Sequence, residues 1–150
     1  MKQCYNWENN ILDFIDINSN RYLLSFKGNK TVVQGKSGTG KTLICTMLTN
    51  IIDDDNVILR PYSADNIFIA SKKDVDKVFE QSKKLIIIDR AEFILNQQLV
   101  TFINQDRINR YLIFSRKPIG LAVSPNYFAT LYNNNGCLQL NYEFDEVGWN

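Results

Sequence analysis

Residues Gly35 to Thr42 carry the clearest chemistry in this chain. They read Gly-Lys-Ser-Gly-Thr-Gly-Lys-Thr and fit the pattern G-x-x-x-x-G-K-[ST]. Glycines at three of these positions let the backbone turn with its N–H groups inward, where a larger side chain would block an anion. Lys41 would supply a positive charge for the β- and γ-phosphates of a nucleoside triphosphate, and the Thr42 hydroxyl would ligate Mg²⁺. The residues expected to bind this ligand are Gly35, Lys36, Ser37, Gly38, Thr39, Gly40, Lys41, Thr42 and Leu43.

The residues on either side of the loop predict a strand before it and a helix after it. Thr31–Gln34 is a short β-prone run, and Leu43–Leu48 suits a helix whose N-terminal dipole faces the anion. A strand, a glycine loop and a helix in this order resemble the P-loop NTPase superfamily. The resemblance is specific in the loop and looser elsewhere, and it extends over about residues 20 to 145.

A carboxylate that could share the magnesium ion follows a second apolar segment. Leu85–Ile88 is fully apolar and rich in β-branched residues, which suits a central strand buried on both faces. Asp89 comes directly after it, and in α/β sheets ligands bind at the carboxyl ends of the strands. Asp89 therefore resembles the Walker B aspartate, which holds Mg²⁺ directly or through water. The alternative is that Asp89 only caps the helix that follows.

The residues after Asp89 bear on hydrolysis. In the ASCE branch of the superfamily, which includes AAA and ABC-like ATPases, a glutamate usually follows that aspartate and polarises the attacking water. Arg90 stands in this place here, and the next acid is Glu92. Glu92 is the candidate for the γ-phosphate side, although an early-turn acid can equally serve only to favour a helix N-terminus. This departure concerns hydrolysis and leaves nucleotide binding as predicted.

A further strand, Tyr111–Phe114, ends in two polar residues. It resembles the sensor-1 strand of the same branch, whose polar tip helps to place water near the γ-phosphate, and Ser115 fits that role. Arg116 would neutralise phosphate charge within the chain or in a neighbouring subunit, or it is simply a solvent-facing arginine. The predicted catalytic set is thus Lys41, Glu92, Ser115 and Arg116, and the predicted metal ligands are Thr42 and Asp89.

Missing motifs narrow the resemblance to a minimal ASCE-type core. The chain ends soon after its last predicted strand, so the helical lid of typical AAA proteins is not expected. A guanine-specific N-K-x-D segment is also missing, because Asn29–Val32 lacks the aspartate. ATP with Mg²⁺ is therefore the expected cofactor pair.

Composition limits the remaining classes. A net charge of +1 gives no overall sign of nucleic-acid binding, and only a local basic patch is left open. No apolar run approaches the roughly 20 residues that span a bilayer, and no signal peptide is apparent. Three widely spaced cysteines and the absence of histidine argue against a zinc site and favour the reducing cytoplasm.

Alternating strand and helix patterns predict a single α/β domain. We expect a three-layer α/β/α sandwich with a mainly parallel sheet in residues 30–150, preceded by an antiparallel strand or hairpin in residues 1–29. The other predicted elements are strands at Asn56–Arg60 and Cys137–Phe144, a helix capped by Ser71 and Asp74, and an amphipathic helix over Ala91–Asn104.

Three functions fit these patterns. The first is a Mg-dependent ATPase that hydrolyses ATP slowly alone and works with a partner protein or as an oligomer. The second is a non-hydrolysing module in which ATP controls association. The third is a small-molecule or nucleotide kinase, which is disfavoured because the six arginines are not grouped as they are in a kinase lid. The aromatic C-terminal segment is either an association surface or core packing.

Overall fold

The structure is a computed structural model that describes residues 2–34, 41–52, 62–117, 119–124 and 127–142. The strands in these ranges are β1 (Lys2–Gln3), β2 (Tyr5–Asn6), β3 (Ile11–Ile15), β4 (Arg21–Ser25), β5 (Lys30–Gln34), β6 (Tyr62–Ser63), β7 (Ile67–Ala70), β8 (Leu85–Ile88), β9 (Arg110–Ser115), β10 (Phe128–Asn134) and β11 (Cys137–Tyr142). The helices are α1 (Lys41–Ile52), α2 (Ala91–Ile94), α3 (Gln97–Gln105) and a 3₁₀ helix at Val75–Glu80.

Nine of these strands form one mixed sheet in the order β2-β3-β4-β11-β10-β5-β9-β8-β7. The five strands from β10 to β7 run parallel to one another. Beyond β10 the pairing is mixed: β11 is antiparallel to β10 but parallel to β4, and β3 is antiparallel to both β4 and β2. β5 therefore lies well inside the sheet, between β10 and β9.

The N-terminal residues bring the two ends of this sheet together. β1 pairs with β6, which directly precedes the edge strand β7. The Cys4 N–H donates to the Ser63 carbonyl at 2.8 Å, and the Asn66 side chain donates to the Tyr5 carbonyl at 2.8 Å. The Arg110 guanidinium lies over the Trp7 ring at 3.9 Å and donates to the Tyr5 hydroxyl at 2.8 Å. The sheet is consequently curled until it is nearly barrel-shaped.

Each face of the curled sheet has its own apolar core, because side chains alternate along every strand. One core joins Val33, Leu112 and Phe114 to Ile44 and Leu48 of α1, and also takes in apolar side chains of the N-terminal strands. The other core joins strand residues such as Val32, Ile86 and Ile113 to the 3₁₀ helix, α2 and α3. α1 thus lies on the opposite face of the sheet from α2 and α3.

A buried polar network holds the amino ends of the central strands. Both Asp106 oxygens accept hydrogen bonds, one from the backbone N–H groups of Ile108 (2.8 Å) and Asn109 (3.3 Å), the other from the Asn109 amide (2.9 Å) and the Tyr111 hydroxyl (2.6 Å). The Asn109 side chain also accepts from the backbone N–H of Lys84, next to β8. This network fixes the chain segment that enters β9.

The predicted three-layer α/β/α sandwich is wrong. The sheet is mixed and nearly barrel-shaped, and helices make up only about 25% of the structure. The N-terminal strands are not an appendage to a parallel core, because β4 pairs with β11 inside the same sheet and β1 pairs with β6. In a sandwich, helices alone would cover each face of the sheet. Here the core on the α1 face also contains side chains from the N-terminal strands.

Two of the predicted helices also differ from the structure. The expected helix over Ala91–Asn104 is two helices, because Leu95 is extended and Asn96 begins α3 by accepting from the Leu99 N–H at 2.9 Å. Asp74 does not cap the element that follows it: its carboxylate accepts from the Ser71 N–H and hydroxyl, and the element is a 3₁₀ helix. The predicted strand Asn56–Arg60 lies outside the described residues.

In the ranges given above, none of the helices has the length and apolar character needed to cross a bilayer.

Candidate phosphate-binding site

The predicted phosphate-binding loop links a central strand to a helix. β5 is buried at Lys30–Val33 and ends at Gln34, whose partner on β9 is Ser115. α1 begins at Lys41, so residues 35–40 connect the carboxyl end of β5 to the amino end of α1. Gly35, Lys36, Ser37, Gly38, Thr39 and Gly40 lie outside the described residues, as do the side chains of Lys41 and Thr42. Leu43, the last predicted ligand-binding residue, is 42% exposed.

The packing of α1 fixes the backbone on the helix side of this loop. Ile44 and Leu48 are fully buried and Cys45 is nearly so. These three residues recur at helical spacing and lie on the face that packs against the sheet. The first turn of α1 is therefore held at the carboxyl edge of β5. Backbone N–H groups of a first helical turn have no intrahelical acceptor, so they are available to an anion.

Asp89 lies at the same edge of the sheet as the end of β5. It follows β8, whose four residues are all buried and pair with β9. Burial raises the pKa of the Cys45 thiol, and the negative charge of Asp89 raises it further. Cys45 stands one helical turn after Thr42, so the charge of Asp89 acts on the part of α1 that follows the loop.

The backbone turns sharply directly after Asp89. Arg90 adopts a left-handed conformation with φ of 53° and ψ of 51°, and it precedes α2 without a side-chain capping bond. A residue with a Cβ pays roughly 1 kcal/mol for this conformation. The turn changes the chain direction between β8 and α2, so that Glu92 lies beside the end of β9.

The Glu92 carboxylate contacts the residue that follows β9. Its Oε2 accepts a hydrogen bond from the backbone N–H of Arg116 at 3.0 Å. Its Oε1 is buried and has no hydrogen-bond partner among the residues that the structure describes. The sequence placed Glu92 on the γ-phosphate side, whereas the structure ties one of its oxygens to the backbone of the adjacent strand end.

Ser115 is buried, and its hydroxyl is used within its own turn. The side chain is 1% exposed, and Oγ donates to the Lys117 carbonyl at 2.6 Å and accepts from the Lys117 N–H at 3.3 Å. The predicted water-placing hydroxyl is therefore committed to the protein backbone. Arg116 and Lys117 are both exposed at the tip of this turn.

The structure brings Asp89, Glu92, Ser115 and Arg116 together at the carboxyl edge of β8 and β9. Lys117, whose backbone holds the Ser115 hydroxyl, was not among the predicted site residues. The spacing of Ser115 and Lys117 could have predicted this contact, because serine hydroxyls often bond backbone groups two residues further on. No group of three or more acidic or cysteine side chains in the described part of the chain could hold a metal ion. The two predicted ligands, the Asp89 carboxylate and the Thr42 hydroxyl, would be enough for Mg²⁺, because this ion usually keeps several waters and is shared with phosphates.

A separate cavity of about 310 Å³ lies on the N-terminal strands, lined by residues that include Lys2, Cys4, Asn6 and Asp13. Burial raises the pKa of the Cys4 thiol to about 12, despite the opposing charge of Lys2. The thiol is therefore protonated and unreactive at neutral pH.

Comparison with known proteins gives no matching family model, no matching curated protein and no matching solved structure. The resemblance to the P-loop NTPase superfamily, and to an ASCE-type core within it, is therefore corrected. The mixed, nearly barrel-shaped sheet is not the three-layer α/β/α fold of that superfamily, and no family model supports the likeness. What remains is the chemistry of the residues themselves at the carboxyl edge of β5, β8 and β9.

Proposed function

We propose that this protein binds a nucleoside triphosphate with Mg²⁺ at the carboxyl edge of β5, and that it is a slow ATPase. One observation carries the proposal. Residues 35–42 link the end of the buried strand β5 to the first turn of α1, and Asp89 follows β8, which is separated from β5 by β9, at the same edge of the sheet. A glycine-rich loop and a helix N-terminus supply N–H groups for phosphates, and a nearby carboxylate supplies a ligand for the metal.

Each residue in the proposal has a separate task. The backbone of residues 35–40 and the Lys41 ammonium would bind the β- and γ-phosphates. The Thr42 hydroxyl and the Asp89 carboxylate would hold Mg²⁺, which when bound neutralises charge on the phosphate oxygens. ATP is proposed over GTP because the chain lacks the guanine-specific segment.

Slow hydrolysis follows from how the neighbouring polar groups are used. Glu92 holds the Arg116 N–H through one oxygen, and the Ser115 hydroxyl donates to Lys117. The Ser115 hydroxyl therefore has no proton left to donate to a water molecule, and Glu92 can accept from one only through its buried Oε1. We therefore propose that a partner protein or a second copy of the chain completes the site. All three cysteines are unpaired, which supports the proposed cytoplasmic location.

The test is nucleotide affinity in the parent protein and in Lys41→Ala, measured by calorimetry with Mg-ATP. Loss of a charged hydrogen bond to phosphate costs about 1.5–3 kcal/mol, so we expect affinity to fall by about 10- to 150-fold. Lys72→Ala removes an exposed lysine far along the chain and is the matched control. Equal ATP affinity in the parent and Lys41→Ala would refute nucleotide binding by this loop.

A second candidate function is a module in which bound ATP controls association and is not hydrolysed. The same two hydrogen bonds favour it, because they occupy the Ser115 proton and one of the two Glu92 oxygens, which hydrolysis would need. The two candidates separate in a single-turnover experiment with radiolabelled ATP. Phosphate release that depends on Lys41 supports the ATPase, and ATP that stays intact on the protein supports the module.

A further inference from the structure

The turn after β9 is held in place from two sides. On one side the Glu92 carboxylate accepts the backbone N–H of Arg116 at 3.0 Å. On the other side the buried Ser115 hydroxyl bonds both the N–H and the carbonyl of Lys117. Three consecutive residues, Ser115 to Lys117, are therefore fixed although they follow the end of the strand. We refer to these three residues as the 115–117 turn.

The 115–117 turn begins next to the carboxyl end of β5. Ser115 is paired with Gln34, the residue immediately before Gly35, across two parallel strands. Neighbouring strands lie about 4.8 Å apart, so an anion bound at this end of β5 would be near the turn.

The turn presents positive charge that forms no ion pair within the described part of the chain. Arg116 and Lys117 are exposed, and the ion pairs among the described residues are those of Asp13 with Lys2 and Arg21. Glu92 is close to Arg116, but its bond is to the backbone N–H and not to the guanidinium. Two cations on a fixed turn are suited to an anionic ligand, since the backbone that carries them does not have to be ordered on binding.

We propose that the 115–117 turn is a second phosphate-contacting element that reads the γ-phosphate through Arg116 and Lys117, and that Glu92 is its positioning residue. This inference rests on the proposed nucleotide binding. It gives Glu92 a task different from water activation, because the carboxylate acts through the hydrogen bond to Arg116. An amide oxygen can accept the same bond, so glutamine should replace Glu92 in this task.

The experiment compares Mg-ATP and Mg-ADP affinities of the parent, Arg116→Ala, Lys117→Ala, Glu92→Ala and Glu92→Gln. We expect Arg116→Ala and Lys117→Ala each to weaken ATP binding by about tenfold and ADP binding by less than about twofold. Glu92→Ala should lower the ATP/ADP affinity ratio by about three- to tenfold, while Glu92→Gln stays within about twofold of the parent. Glu80→Ala, which removes an exposed acid from the 3₁₀ helix, is the control.

The outcomes separate this inference from the proposal on which it rests. If the parent binds ATP but Arg116→Ala and Lys117→Ala lower ATP and ADP affinity by the same factor, the turn does not read the γ-phosphate. If Glu92→Gln loses as much as Glu92→Ala, the carboxylate charge and not its hydrogen bond is needed, and the positioning task is refuted. Equal ATP affinity in the parent and Lys41→Ala refutes the nucleotide site itself and this inference with it. Should Glu92→Ala unfold, the variants of the exposed Arg116 and Lys117 still decide whether the turn reads the γ-phosphate.

Discussion

Removing the Asp106 carboxylate should be one of the most damaging single changes in this protein. Asp106 is 8% exposed, and its two oxygens accept four hydrogen bonds, two from backbone N–H groups and two from the side chains of Asn109 and Tyr111. In Asp106→Ala the Tyr111 hydroxyl and the Asn109 amide each lose this acceptor. Both residues are almost completely buried, at 2% and 1% exposure, so water cannot easily replace it.

The expected loss of stability follows from these two buried donors, which have lost their acceptor. A buried polar group without a partner costs about 1–3 kcal/mol, so Asp106→Ala should lower the free energy of unfolding by about 4 kcal/mol. Tyr111→Phe removes the hydroxyl together with its need for a partner and should cost only about 1 kcal/mol. The double variant should then cost about 1–2 kcal/mol less than the sum of the single changes.

The pH dependence gives a second, independent measure of the same carboxylate. Burial alone would raise the pKa of Asp106, but the hydrogen bonds from Tyr111, Asn109 and the backbone lower it overall. Because the pKa is lower in the folded than in the unfolded protein, the stabilisation is complete above the ordinary aspartate pKa of about 3.9. It is lost as the pH falls through the folded value. Asp106→Asn should therefore lose less stability than the parent as the pH falls below about 4.

Urea unfolding followed by circular dichroism measures all of these free energies. Asp76→Ala, an exposed acid on the 3₁₀ helix, is the matched control and should change stability by less than about 0.5 kcal/mol. A cost below about 1 kcal/mol for Asp106→Ala, or strict additivity with Tyr111→Phe, would refute the reasoning, because it would mean that the buried donors find other partners.

Two further substitutions test the turn after β8 and the closure of the sheet. Arg90→Gly should stabilise the protein by up to about 1 kcal/mol, because glycine adopts the left-handed conformation at φ of 53° without strain. Arg90→Ala keeps the strain and is the control. A lower urea midpoint for the glycine variant would contradict this prediction. Arg110→Met should lower the free energy of unfolding by about 2 kcal/mol, because it removes the cation over the Trp7 ring and the donor to Tyr5. In a Trp149→Phe background, the same substitution should shift the fluorescence of Trp7 to the red. Unchanged emission would show that Arg110 does not cover Trp7.

Local patterns in the sequence located several elements of the structure. The fully apolar run Leu85–Ile88 is a buried central strand, as its composition indicated, and Asp89 follows its carboxyl end. The strand over Tyr111–Phe114 is present as part of β9. These predictions succeed because a strand buried on both faces needs apolar residues without interruption, and that requirement is visible within a few positions.

The overall architecture depends on contacts that no local pattern contains. Leu138 pairs with Tyr22, and this pairing joins the N-terminal strands to the main sheet. The prediction treated residues 1–29 as an extension because nothing near them in sequence shows that partner. One available signal was overlooked: Asn135-Gly136 is a typical two-residue hairpin turn, and it does connect β10 to β11 with positive φ at both residues.

The helix over Ala91–Asn104 illustrates a different error. Apolar spacing continued through Leu95 and Asn96, so periodicity alone indicated one helix. Asn96 is a strong capping residue, and its side chain satisfies the Leu99 N–H, which favours a new start at that point. The pairing of Glu92 with the Arg116 backbone was equally unpredictable, because it depends on the left-handed turn at Arg90.

The position of β4 in the sheet has a consequence for how the protein folds. Its antiparallel partner β3 is joined to it by a short turn, so that hairpin can form as soon as both strands leave the ribosome. Its other partner, β11, lies more than a hundred positions later, and β5 also waits for β9 and β10. Closing such long loops costs conformational entropy before the new contacts can offset it, and this slows folding. The first hairpin must therefore persist with an unpaired edge during synthesis, and folding should be slow for a chain of this length.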